Sequence, residues 1–118
     1  MKTLQGGCQC GAVRYEVTLD PDGVPITCNC SMCGRSGALL QFVPEASFKL
    51  LKGADNLTDY QFNKHVIHHV FCKTCGIKSF ARGQSKNGPM VAINARCLDD
   101  ADTFALQKKA KEVDGKSV

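Results

Sequence analysis

The sequence predicts a mainly β fold in which small antiparallel sheets stack on one another, with little or no helix. Three observations carry that expectation. Short apolar runs alternate with polar residues, turn-forming Gly, Pro, Asn and Asp separate the runs, and no long stretch keeps a helical period with caps at both ends. The 118 residues are enough for one domain, 1–118, with a modest apolar core.

Residues 12–19 place Val13, Tyr15, Val17 and Leu19 on one side, as a half-buried strand requires. Asp20-Pro21-Asp22-Gly23 is a turn signal leading into residues 24–28. Residues 39–43 are apolar apart from Gln41 and stop at Pro44, and residues 48–51 end before Gly53. Residues 57–62 and 66–71 read as paired strands, with Asn63-Lys64 as a tight connection. Residues 77–81 and 90–95 supply two further runs. Residues 99–111 are the best helical candidate, but they are too polar to anchor a core.

The cysteines are the most specific feature. Seven of eight fall into tight groups: Cys8 and Cys10; Cys28, Cys30 and Cys33; Cys72 and Cys75. Cys97 stands apart. A disulfide framework would be expected in a secreted chain, but the opening MKTLQGGCQC has no apolar segment of signal-peptide type, and no apolar run is long enough to span a membrane. A cytoplasmic location is expected, where thiols stay reduced and clustered cysteines read as metal ligands. Thiolates at these spacings suit zinc, which takes four ligands in a tetrahedron. An iron–sulfur reading would need four cysteines per cluster.

Cys8, Cys10, Cys72 and Cys75 are expected to form a closed structural zinc site, because Gly11 and Gly76 follow the second cysteine of each pair and permit a tight turn. Cys28, Cys30 and Cys33 then remain as three ligands with a fourth position open to water or substrate, the pattern of a catalytic zinc. The alternative is a second closed site completed by Cys97 or a less usual ligand. Such an open centre suits thiol capture better than hydrolysis, since three thiolates weaken the metal as a Lewis acid. Arg35 is the foremost candidate for a substrate carboxylate, with Arg82 and Arg96 behind it. Asn94, Gln41 and the Ser36-Gly37 pair are candidate polar liners. His68 and His69 should face opposite sides of a strand, one supporting the site and one meeting solvent. His65 reads as a turn residue.

The formal net charge is +4, and seven thiolates against two divalent ions would lower it by three. The basic residues are scattered apart from Lys108, Lys109 and Lys111, and no aromatic–basic interleaving supports a nucleic-acid platform. Neither nucleic acid nor a membrane is expected as a partner. Homo-oligomerisation is left open.

The motifs GGCQCGAVRYEV, CNCSMCGRSG, HVFCKTCGIKSFARG, VAINARCLDDAD and VDGKSV occur in that order over nearly the whole chain. In this the sequence resembles the small zinc proteins grouped with glutathione-dependent formaldehyde-activating enzyme, a group that also contains centromere protein V. The resemblance implies stacked small sheets, a structural zinc on Cys8, Cys10, Cys72 and Cys75, and a second zinc on Cys28, Cys30 and Cys33. It also implies a carbon–sulfur lyase of the S-hydroxymethylglutathione synthase type, with a small thiol or thiol adduct as partner and glutathione as co-substrate. The sequence departs from the family at position 34, where Gly replaces a common basic residue and the arginine follows as Arg35. The competing function is a zinc-stabilised, non-catalytic binding or chaperone-like module with an exposed apolar patch around Leu39, Leu40 and Phe42.

Overall fold

The computed structural model describes residues 1–62 and 64–115. Its strands are β1 (Lys2–Gly7), β2 (Arg14–Leu19), β3 (Ile26–Cys28), β4 (Leu40–Pro44), β5 (Phe48–Lys52), β6 (Leu57–Tyr60), β7 (His68–Cys72), β8 (Phe80–Ser85), β9 (Gly88–Asn94) and β10 (Lys111–Val113). Among the described residues helix is confined to α1 (Ser31–Ser36), α2 (Thr103–Lys109) and three single 3-10 turns. Among the described residues no helix is long and apolar enough to cross a membrane.

The strands form a three-stranded sheet in the order β1-β2-β5 and a seven-stranded sheet in the order β10-β3-β4-β9-β8-β7-β6. All pairings are antiparallel except β10 with β3. The expected alternation in residues 12–19 holds: Val13, Tyr15, Val17 and Leu19 are all buried. They pack against Val43, Val70, Phe80, Val91 and Ile93 of the larger sheet. Directly opposed residues of an antiparallel pair share a face. The register Val43↔Val91 and Ile93↔Phe80↔Val70 therefore gives the larger sheet one continuous apolar face.

At the centre of this interface Tyr15, Phe48 and Phe80 meet with ring centroids 4.7 to 6.1 Å apart. Gly6 allows that approach, because a Cβ there would lie 2.9 Å from the Tyr15 hydroxyl and 2.6 Å from the Cys97 carbonyl oxygen. The opposite face of the larger sheet carries the row Phe42–Ala92–Ala81–His69–Tyr60. A second, smaller core of Cys33, Ala38, Leu40, Ala81 and Ala92 forms on this side.

Several expectations shift in detail. β1 lies in residues assigned no strand, since only its final glycines are buried and its order comes from pairing with β2. The strand expected at 77–81 begins at Phe80, and that expected at 66–71 begins at His68. The β6–β7 link is consequently longer than a two-residue turn, and Asn63 within it lies outside the described residues. His65 is in the left-handed region with φ 55°, as a turn residue can be. The helix expected within 99–111 forms as α2, with Asp102 capping it by accepting from the N–H of Ala105.

The Tyr15 hydroxyl is buried with no hydrogen-bond partner among the described residues. Such a group costs its desolvation without return. Tyr15→Phe should therefore be neutral or stabilise the fold by up to about 1 kcal/mol in urea unfolding. A loss larger than that would reveal a partner for the hydroxyl.

Candidate metal centres

Among the described residues two groups of side chains could hold a metal ion: Cys8, Cys10, Cys72 and Cys75, and separately Cys28, Cys30 and Cys33. Within each group the sulfurs lie within 4.8 Å of one another. All eight cysteines are free, so no disulfide framework forms. Cys97 belongs to neither group; its thiol reaches toward the Lys78 carbonyl at 3.9 Å.

The first group joins the two sheets. Cys8 and Cys10 lie in the β1–β2 connection of the smaller sheet, while Cys72 ends β7 of the larger. The Cys8–Cys10 and Cys10–Cys72 sulfurs are each 3.6 Å apart. Ligands at about 2.3 Å on a tetrahedron have edges of about 3.8 Å, so the donor set fits a tetrahedral thiophilic ion such as zinc. Gly11 (φ 84°) and Gly76 (φ 77°) occupy the left-handed region that each knuckle turn needs.

Backbone donors are aimed at these sulfurs. Val13 N–H donates to Cys8 Sγ at 3.2 Å and Thr74 N–H to Cys72 Sγ at 3.3 Å, and the Asn56 side-chain amide adds a 3.3 Å bond to Cys72 Sγ. The N–H groups of Cys10 and Ile77 hold the Cys75 thiol down to about 6. The N–H of Cys75, helped by that of Thr74, holds Cys72 below the ordinary thiol range. Donors of this kind favour the thiolate form that a metal ion requires.

The second group is built locally. Cys28 ends β3, Cys30 caps α1 by accepting from the N–H of Cys33 at 3.3 Å, and Cys33 is buried inside the helix. Burial pushes Cys33 up to about 12, with Cys30 adding to it and Lys78 opposing. Burial also opposes ionisation of Cys30, but the N–H and thiol of Cys33 outweigh it and lower that group. The chain after β10 closes over the cluster. Gly115 N–H donates to Asn29 Oδ1 at 2.8 Å, and a Cβ at Gly115 would lie 2.4 Å from Cys28 Sγ. Among the described residues no further Cys, His, Asp or Glu joins these three sulfurs.

The other candidates separate clearly. Arg35 is exposed on α1, donates to the Ser31 carbonyl at 3.1 Å, and lines a cavity of about 470 Å³ with Met32, Tyr60 and Phe62. Arg82 lies 5.3 Å from both the Phe48 and Phe80 ring centroids, which ties it to the sheet interface. Arg96 donates to the Gly37 carbonyl at 3.0 Å and to Gln107. Asn94 is a clamp, accepting from Leu39 and Arg96 N–H and donating to the Lys78 carbonyl. Gln41 donates to the Asp20 carbonyl and lines a different cavity, beside α2. Ser36 stays at the helix end, where its hydroxyl accepts from Ala38 N–H at 3.4 Å.

His68 shares the face of Val70 and Arg82 and pairs with Asp59 at 2.7 Å near the solvent, whereas His69, on the opposite face, is 7% exposed. His69 stacks on Phe62, and its Nδ1 lies 2.8 Å from Lys78 Nζ. Lys78 did not stand out in the sequence. Its position three residues after Cys75, at the mouth of β8, is the signal that could have found it.

The sequence model of the family described as glutathione-dependent formaldehyde-activating enzyme matches residues 3–112. Among solved structures, the crystal structure of a Rhodobacter sphaeroides protein, a structural-genomics target, is similar with a TM-score of 0.82 and 31% identity. The match covers 93% of this chain and 100% of that one.

Because the first cluster links two sheets, Cys72→Ser should lose metal and cooperative unfolding together, at a cost of several kcal/mol. Cys33→Ser should lose metal from the second cluster while retaining a cooperative transition. Metal content and thermal unfolding of the two variants distinguish these outcomes. A second expectation concerns acid. Burial, then Lys78, pushes the His69 imidazole down to about 4, against an ordinary value of 6.5. The unfolded chain binds the proton first, so this contribution is complete above pH 6.5 and is lost as pH falls toward 4. His69→Gln should flatten the fall by roughly 2 kcal/mol relative to the unsubstituted protein, measured by urea unfolding across that window.

Proposed function

The chain belongs to the glutathione-dependent formaldehyde-activating enzyme family, and from that membership we propose a zinc-dependent carbon–sulfur lyase-type enzyme that handles a small thiol–aldehyde adduct. The activity proposed is that of an S-hydroxymethylglutathione synthase, with glutathione as the thiol and formaldehyde as the aldehyde. Two zinc ions are proposed, a structural one held by Cys8, Cys10, Cys72 and Cys75 and a catalytic one held by Cys28, Cys30 and Cys33. The observation that carries this reading is the count of donors: four converge in the first group, but only three of the described residues do in the second.

Bound zinc would supply a soft cation that favours the thiolate form of an incoming thiol. The protein's part is to hold that cation with Cys28, Cys30 and Cys33 and to bring the aldehyde within reach. A C–S bond forms as the sulfur lone pair attacks the carbonyl carbon. The C=O π pair moves to oxygen, which takes a proton; cleavage runs the same steps backwards. Arg35 is proposed to meet a carboxylate of the thiol at the cavity it lines beside α1. Because thiol and aldehyde react readily unaided, proximity and thiolate fraction are the contributions required. A cytoplasmic setting, with its pool of reduced thiols, suits that substrate.

A binding-module reading would draw on an apolar surface at 39–42, but Leu39 and Leu40 are buried and only Phe42 is exposed, at 52%.

The test is metal per chain on protein purified without added metal, its retention under mild chelation, and the spectrum of the cobalt-substituted protein with glutathione. Two metals per chain are expected, one leaving first and one changing spectrum with glutathione, together with cleavage of S-hydroxymethylglutathione. Two equally inert metals with a spectrum indifferent to thiols would overturn the catalytic assignment.

A further inference from the structure

We propose that Lys78 is the counter-charge of the Cys28/Cys30/Cys33 centre, held there by His69, and that it selects an anionic fourth ligand over a neutral one. The inference rests on the reading that this centre takes a substrate thiol.

The need for such a group follows from charge. Three thiolates and a divalent ion leave the centre at about −1, and a fourth thiolate would bring it to about −2. In a partly buried site that accumulation is expensive unless a cation stands nearby. Cys33 is buried and faces the small core on the outer side of the larger sheet. Arg35, although close in sequence, lies exposed on α1. The Arg96 guanidinium is engaged by Gly37 and Gln107. Lys78 reaches the same side of the larger sheet, because its ammonium meets His69, and His69 lies directly opposite Ala81, which packs in one small core with Cys33. Burial works against the Lys78 charge, and Cys33 and then Cys30 support it.

Its position is fixed from both ends. The Lys78 carbonyl accepts from Asn94 Nδ2 at 3.1 Å, and the neighbouring Ser79 is fully buried. At the other end the ammonium is 2.8 Å from His69 Nδ1. A neutral imidazole with its proton on Nε2 accepts there, which leaves two of the three ammonium N–H groups for other partners. His69 shares its face with Ala81 and Ala92. Asp59 also acts on His69, more weakly than Lys78. Lys78 and Ser36 both line a cavity of about 540 Å³ that also reaches Asn94 and Arg96.

The chemistry separates this role from a structural one. A counter-charge favours a ligand that binds as an anion, such as the thiolate of 2-mercaptoethanol, and leaves a neutral ligand such as imidazole unaffected. The experiment titrates the cobalt-loaded full-length protein with each probe, following the visible spectrum, for the unsubstituted chain and Lys78→Met. Lys78→Gln serves if the methionine variant does not fold. The expected result is a loss of about tenfold or more in 2-mercaptoethanol affinity, with imidazole affinity unchanged within about twofold. Equal thiol affinity in both proteins, or a parallel loss for both probes, overturns the role of Lys78 and leaves the proposed function standing. An unsubstituted protein that takes up no thiol overturns both.

Discussion

Four sulfurs drawn from two different sheets meet within 4.8 Å of one another, close enough to hold one ion, and the rest of the architecture is arranged around that meeting. Cys8 and Cys10 can reach Cys72 and Cys75 only if the β1–β2 turn lies over the end of β7. That placement sets the smaller sheet face to face with the larger. It brings Tyr15 and Phe48 onto Phe80, and it requires Gly6 where the β1 backbone runs past the Tyr15 ring. A small domain has little apolar surface to spare, so a cross-link between sheets supplies what a larger core otherwise would. The N–H groups aimed at Cys8 and Cys72 suit the same end, because they are satisfied by sulfur instead of by a longer β ladder.

The second cluster follows the opposite logic. Its three sulfurs come from a single span of six residues, running from the end of β3 into the first turn of α1, and need no distant partner to be brought together. Long-range structure contributes the surroundings instead: Gly115 from the tail lies against Cys28, and Ala81 and Ala92 from the sheet lie behind Cys33. A cluster assembled locally can change its coordination without unfolding the molecule. One assembled across two sheets cannot. The division of labour proposed for the two centres follows from how each is connected, apart from any count of ligands.

This difference also decides what was legible in the sequence. The three cysteine groups could be read because chelating spacing is local, and the strand through Val13, Tyr15, Val17 and Leu19 could be read because one face of it is buried. β1 could not, since its residues are mostly polar and its order is borrowed from β2. α1 is too short to show a period and is specified by the Cys30 cap and the left-handed Gly37. Leu39, Leu40 and Phe42 looked alike as an apolar patch, yet Leu40 and Phe42 share the outer face and only Phe42 escapes cover. His69 and Lys78 are nine residues apart and meet only through the folding of β7 back along β8. No sequence period encodes such a pair.

The placement of Lys78 bears on how little the proposed chemistry asks of the protein. Thiol addition to an aldehyde needs no strong Lewis acid, and a centre with three thiolates is a poor one. Its electron-rich sulfurs instead make the metal reluctant to accept another anion. The limiting difficulty on this reading is therefore admission of the thiolate, not polarisation of the carbonyl. A fixed positive charge beside the sulfurs addresses that difficulty directly, and a lysine suits it better than an arginine. Its compact ammonium can keep one hydrogen bond to His69 and still turn its remaining donors toward the ligand, whereas a guanidinium commits its donors to one plane. His69 can serve as that anchor only while it remains neutral, and the burial that depresses its basicity keeps it so. On this reading the fold places its positive charge where a bound thiolate, rather than the carbonyl, would need it.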